Sequence, residues 1–152
     1  MIKISDILPN SCVRVPLEAT DKTAVITELV NLLAASGQLL DSGMVLQAVL
    51  KREQILSTGI GEGLAVPHGK SAGCSSLRMA VGKPASPLDF GSIDGRPCEL
   101  VVLLASPVDI TGPHVQALAR ISRLWQNGDF RIAVASAATA EALYAAIEQY
   151  QE

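Results

Sequence analysis

Two histidines, His68 and His114, have neighbours that favour chemistry. His68 stands between Pro67 and Gly69, after the glycine-rich stretch Ser57-Thr58-Gly59-Ile60-Gly61-Glu62-Gly63. Glycines leave backbone N–H groups uncovered, and successive uncovered amides form anion-binding nests. His114 follows Thr111-Gly112-Pro113, which reads as a helix start. Threonine is a good N-cap there, and proline is tolerated in a first turn. The positive end of a helix dipole disfavours imidazolium and attracts anions. Together these features predict two neutral imidazoles near a phosphate-sized anion, provided the fold unites them.

Other chemistries fit poorly. There is no His-Glu-x-x-His and no Cys-x-x-Cys, so no metal site is expected. No serine lies in a Gly-x-Ser-x-Gly elbow. Cys12, Cys74 and Cys98 are odd in number and far apart, which reads as reduced thiols of a cytoplasmic protein. Cys98 is expected to pack beside a buried strand. Gly63 to Ser71 imitates a phosphate-binding P-loop, but five residues separate its glycines where the motif has four. Gly59-x-Gly61-x-Gly63 misses the dinucleotide fingerprint by spacing. No cofactor is expected.

The elements that must position the histidines follow from periodicity. Asp21 to Ser36 has apolar residues at helical spacing, capped by Asp21 or Thr20 and stopped by Gly37. A second helix is expected over Ser42 to Leu56, with Val45, Leu46, Val49 and Leu50 inward. Leu64-Ala65-Val66 is a short strand, and Leu77 to Val81 alternates like one. Leu100 to Leu104 is apolar throughout, as for a strand buried on both faces. A turn-rich connection with Asp94-Gly95 joins the last two. From the helix start at Thr111 to His114, Val115, Leu118, Ile121, Ser122 and Trp125 follow at helical spacing, and Asn127-Gly128 ends that helix. The tail from Asp129 to Tyr150 reads as two helices split near Ser136 to Thr139, although Phe130 to Val134 could also form a strand. The expected fold is α/β (α+β), a single domain over residues 1–152 with a mixed central sheet flanked by helices.

Composition narrows the partners. At 152 residues and 49% hydrophobic content, the chain can bury a real core. A net charge of -3 and 3% aromatics argue against nucleic acid as a partner. No apolar run approaches a membrane span, and Met1 to Asp6 shows no signal-peptide pattern.

Arg52-Glu53 followed by Ser57 to Gly69 resembles the signature around the phosphorylated histidine of a known family. That family is the enzyme IIA domains of the mannitol/fructose/nitrogen class of the bacterial phosphoenolpyruvate-dependent sugar phosphotransferase system. Pro87-Leu88-Asp89-Phe90, Asp94 to Pro97, Leu100 to Pro107 and His114 to Arg120 also resemble its layout. Trp125 and Cys98 depart from it, standing where a smaller apolar residue and valine are common.

The resemblance implies that His68 accepts a phosphoryl group from phospho-HPr or a paralogue and passes it to an enzyme IIB domain. It also implies that His114 is the second active-site histidine and that Arg52 and Glu62 lie near the phosphohistidine. An alternative is a nitrogen-type regulator whose His68 phosphorylation controls binding of a target protein. The length and the start Ser5-Asp6-Ile7-Leu8 resemble that branch. Expected holders of phosphoryl oxygens are His114, the Ser57 and Thr58 hydroxyls, the amides near Thr58 and Gly59, and the charge of Arg52. Arg52 could equally pair with a partner surface. Glu62 could orient an imidazole N–H or be a solvated loop carboxylate.

Overall fold

A computed structural model describes residues 2–151; Met1 and Glu152, the ends of the expected 1–152 domain, lie outside the described residues. The elements are α1 (Ile4–Ile7), a 3-10 turn (Asn10–Cys12), β1 (Val13–Leu17), α2 (Lys22–Ala35), α3 (Ser42–Ile55), β2 (Gly59–Gly61), β3 (Leu64–Ala65), β4 (His68–Lys70), β5 (Arg78–Pro84), β6 (Leu100–Ser106), α4 (Gly112–Gln126), α5 (Gly128–Ser136) and α6 (Ala140–Tyr150). The helix starts are written in side-chain chemistry. The carboxylates of Asp21 and Asp41 accept the amides of Ala24 and Met44, and the Thr139 hydroxyl accepts that of Ala142. Each satisfies a backbone donor that has no partner inside its helix.

The mixed sheet is built on β6, every residue of which is buried. The strand order is β1-β5-β6-β3-β2, and β4 also pairs with β6. β5 runs antiparallel to β6, while β3 and β4 run parallel to it. Leu64 and Ala65 lie opposite Leu100 and Val101, and His68 to Lys70 lie opposite Leu104 to Ser106. The offset is the same in both, so residues 64–70 follow a single extended path beside β6. Pro67 interrupts it because proline has no N–H for the ladder, although its carbonyl still accepts the Leu104 amide at 2.9 Å. His68 is the first residue after that interruption.

Alternation across strands then assigns the two faces. Leu64, Leu100 and Val102 meet Ile121, Leu124, Trp125, Phe130 and Ile147, so one face is covered by α4, α5 and α6. His68, Lys70, Leu104 and Ser106 share that face by register. Gly69 points the other way, against α3. A Cβ there would lie 2.9 Å from the Val49 amide nitrogen and 3.0 Å from the Ala48 carbonyl carbon. The glycine after His68 therefore lets a helix backbone rest directly on the strand. Gly69→Ala should destabilise the fold by about 1–3 kcal/mol, the usual cost of overpacking. A urea midpoint unchanged from wild type would refute that contact.

Three expectations need correction. β1 was not anticipated; Pro16 masks it, because proline is confined to edge strands and β1 is an edge. Half of the expected glycine-rich loop is a β2–β3 hairpin turning at Glu62-Gly63, both with positive φ (56° and 91°). Thr111 makes no side-chain cap; its hydroxyl accepts from Lys70 Nζ at 3.3 Å instead. The inward face of α4 is His114, Ala117, Ile121, Leu124 and Trp125, whereas Val115 is exposed. Residues 130–134 are helical, within α5. The stretch imitating a P-loop is sheet, in β3 and β4.

Candidate active site

His68 is held by its own strand. Val66 N–H bonds to Thr58 O on the β2 side, so the Val66 carbonyl also faces that side. β2 pairs no further along, and the Val66 carbonyl accepts from His68 Nδ1 at 2.8 Å. A carbonyl can only accept, so Nδ1 carries the proton and Nε2 keeps its lone pair. Burial lowers the His68 pKa below the usual 6.5, opposed by the Val66 bond; Arg52 lowers it further and Glu53 raises it. The neutral form of the ring is therefore favoured at pH 7.

His114 comes over the same face from α4. Its ring centroid lies 5.4 Å from that of His68, with the planes at 65°. Nδ1 and the Ser106 hydroxyl oxygen are 2.7 Å apart. Burial, with help from His68 and Lys70, pushes the His114 pKa down to about 4. The fold thus unites two neutral imidazoles that are distant in sequence.

The donors expected around the phosphoryl group are placed differently. The Thr58 amide and hydroxyl both donate to the Glu53 carboxylate. The Ser57 hydroxyl donates to Phe90 O at 2.7 Å and accepts the Gly59 amide at 3.1 Å. These groups build the loop rather than standing free for an anion. Glu53 is 8% exposed and also bonds Lys22 Nζ at 2.7 Å, with Lys22 lying over the Phe90 ring. Sequence reasoning gave Glu53 no role. Its neighbour Arg52 bonds Leu56 O at 2.8 Å and acts on His68 through its charge.

Glu62 is turned away from both rings. Its carboxylate bonds Arg131 at 2.9 Å, its amide donates to Asp94 at 2.8 Å and its carbonyl accepts the Trp125 indole N–H at 2.8 Å. These bonds pin a non-glycine residue at positive φ. The imidazole nitrogens that have partners are held by Val66 and Ser106 instead. Among the described residues, no group of three or more His, Cys, Asp and Glu is placed to hold a metal ion.

Residues 6–150 match the family described as phosphoenolpyruvate-dependent sugar phosphotransferase system, EIIA 2. The chain belongs to that family. It is 33% identical over 151 residues to the fructose-specific EIIABC component of Bacillus subtilis, covering 99% of this chain and 24% of that protein. The chain thus spans about a quarter of that relative. It is also 33% identical over 151 residues to a nitrogen regulatory protein of Pseudomonas aeruginosa, covering 99% and 98% of the two chains. Among solved structures, nitrogen regulatory protein IIA-Ntr from Neisseria meningitidis superposes with a TM-score of 0.86 at 29% identity, covering 95% and 98%. Escherichia coli IIAMTL, solved in complex with phosphorylated enzyme IIBMTL, shares the fold at a TM-score of 0.79 and 17% identity, covering 94% and 99%.

The two histidines are both held toward the uncharged form. Both take a proton more readily once unfolded, so between about pH 4 and 6.5 the unfolded chain binds more protons. Stability should therefore be full above pH 6.5 and fall as pH drops toward 4. His114→Asn should flatten this fall, read as melting temperature against pH; an unchanged slope would count against a buried neutral His114. Among the described residues, no helix is long and apolar enough to cross a membrane.

Proposed function

We propose that His68 Nε2 accepts a phosphoryl group from a phosphohistidine on HPr or a paralogue and passes it to an enzyme IIB domain. Residues 1–152 then act as one EIIA-type carrier domain. The observation that carries this reading is the Nδ1 proton of His68 held by the Val66 carbonyl, which leaves Nε2 as a lone-pair nucleophile beside a second neutral imidazole. In the step, the new N–P bond forms at Nε2 as the donor's N–P bond breaks, and the ring proton stays on Nδ1, hydrogen-bonded to the Val66 carbonyl. Both bonds are of one kind, so the transfer is near balance. Positioning and charge stabilisation supply the catalysis. Arg52 offers positive charge that acts on the His68 ring.

The 33% identity to the Pseudomonas nitrogen regulatory protein supports a second reading, in which phospho-His68 alters the binding of a target protein. Intact mass after incubation with phosphoenolpyruvate, enzyme I and HPr tests the shared step. One acid-labile phosphoryl group is expected. No gain with HPr or with the organism's own carrier paralogues would overturn both readings. A chase with enzyme IIB domains then separates them: donation marks a carrier, retention a regulator.

A further inference from the structure

Ser106 is the last residue of the buried central strand, and its side chain has no exposure. An alanine or valine would suit that position as a packing residue. The hydroxyl instead meets His114 Nδ1 at 2.7 Å. Register puts Ser106 opposite Lys70, two residues beyond the His68–Leu104 pair, on the face that α4 covers. The strand that aligns His68 therefore also places a hydroxyl under the second histidine.

The direction of this hydrogen bond follows from donor accounting. A serine hydroxyl has one proton and two lone pairs, and a buried donor left without an acceptor costs more than a spare lone pair. His114 Nδ1 is the acceptor that the described structure offers to this proton. If Nδ1 carried the ring proton instead, the Ser106 proton would lose that acceptor. The favourable arrangement has Ser106 donating to Nδ1, which puts the ring proton on Nε2.

We propose that Ser106 is a positioning residue that holds His114 as its Nε2–H tautomer, aiming a hydrogen-bond donor at the phosphoryl group on His68. This rests on the phosphocarrier reading of His68. The two rings then have opposite tautomers. His68 keeps its proton on Nδ1 and attacks through Nε2; His114 accepts at Nδ1 and donates through Nε2. His114 gives a hydrogen bond and no proton, so it returns unchanged after each transfer. Lys70 stands by the same ring, and its charge together with burial opposes a second proton there. A neutral donor can hold a phosphoryl oxygen in transit without trapping the group as a full ion pair would.

Nitrogen-15 NMR of the imidazoles in the unphosphorylated wild type at neutral pH tests the assignment. The expected result is His68 as the Nδ1–H tautomer and His114 as the Nε2–H tautomer. Wild-type His114 found as Nδ1–H overturns the proposal. In Ser106→Ala, His114 should become a mixture of tautomers while His68 is unchanged. Phosphoryl transfer from phospho-HPr should slow by up to about tenfold, less than the roughly hundredfold or more of losing the donor outright, because part of His114 keeps its Nε2–H. Ser106→Thr, which keeps the hydroxyl, should recover the His114 tautomer and most of the rate. Unaltered tautomer and rate in Ser106→Ala would overturn the proposal. If wild type takes no phosphoryl group, the functional reading fails, and the tautomer measurement still decides the role of Ser106.

Discussion

His68→Gln should accept no phosphoryl group from phospho-HPr, even though His114 remains. The choice between the two imidazoles follows from their partners. His68 Nδ1 faces the Val66 carbonyl, so its Nε2 lone pair is enforced. His114 is 6% exposed, and with Ser106 donating to its Nδ1 it has no free lone pair. Glutamine at position 68 can still donate an amide N–H toward Val66 but brings no nucleophilic nitrogen. The variant should keep the wild-type melting curve to within about 1 kcal/mol, as expected for a half-buried residue outside the core. Intact mass and phosphopeptide mapping provide the check. A variant phosphorylated on His114 would reverse the roles assigned here.

Much of this site was legible because its chemistry is local in sequence. Pro67 and Gly69, on either side of His68, each mark one backbone requirement: a break in the ladder and the close approach of α3. The helix beginning near Thr111 was legible from its turn residues, and the apolar run 100–104 from its composition. What could not be read depends on register and on side-chain partners. Ser106 is one more polar residue at a strand end until β6 pairs with β4 and α4 folds over it. The hydroxyls of Ser57 and Thr58 looked available for phosphate because glycine-rich loops often hold anions. In the structure they are spent on Phe90 and Glu53. Glu62 was expected near the histidines because it matches a family position that lies there, but its carboxylate bonds Arg131 and its backbone has positive φ. Trp125, a departure from the family pattern, supplies the indole N–H that holds Glu62 there.

Glu53→Ala should cause the largest loss of stability among single changes near the site. The carboxylate is buried and serves three donors on two different segments: Lys22 Nζ at the start of α2, and the Thr58 amide and hydroxyl. Removing it strands a partly buried ammonium and two buried loop donors. Breaking one side of a buried ion pair costs about 3–5 kcal/mol, chiefly as the penalty on the partner left behind. The consequence reaches function through geometry, because Thr58 O accepts the Val66 amide and Val66 O holds His68. Loosening Thr58 therefore loosens the bond that fixes the nucleophile's tautomer. Glu53→Ala should lower the denaturation midpoint and slow phosphorylation together. Lys22→Met in the same background should recover part of the stability, because the stranded charge is then gone. The rate should remain slow, because Thr58 still lacks its acceptor. A double variant no more stable than Glu53→Ala would show that the ion pair contributes little, leaving the Thr58 bonds as the reason for a carboxylate at that position.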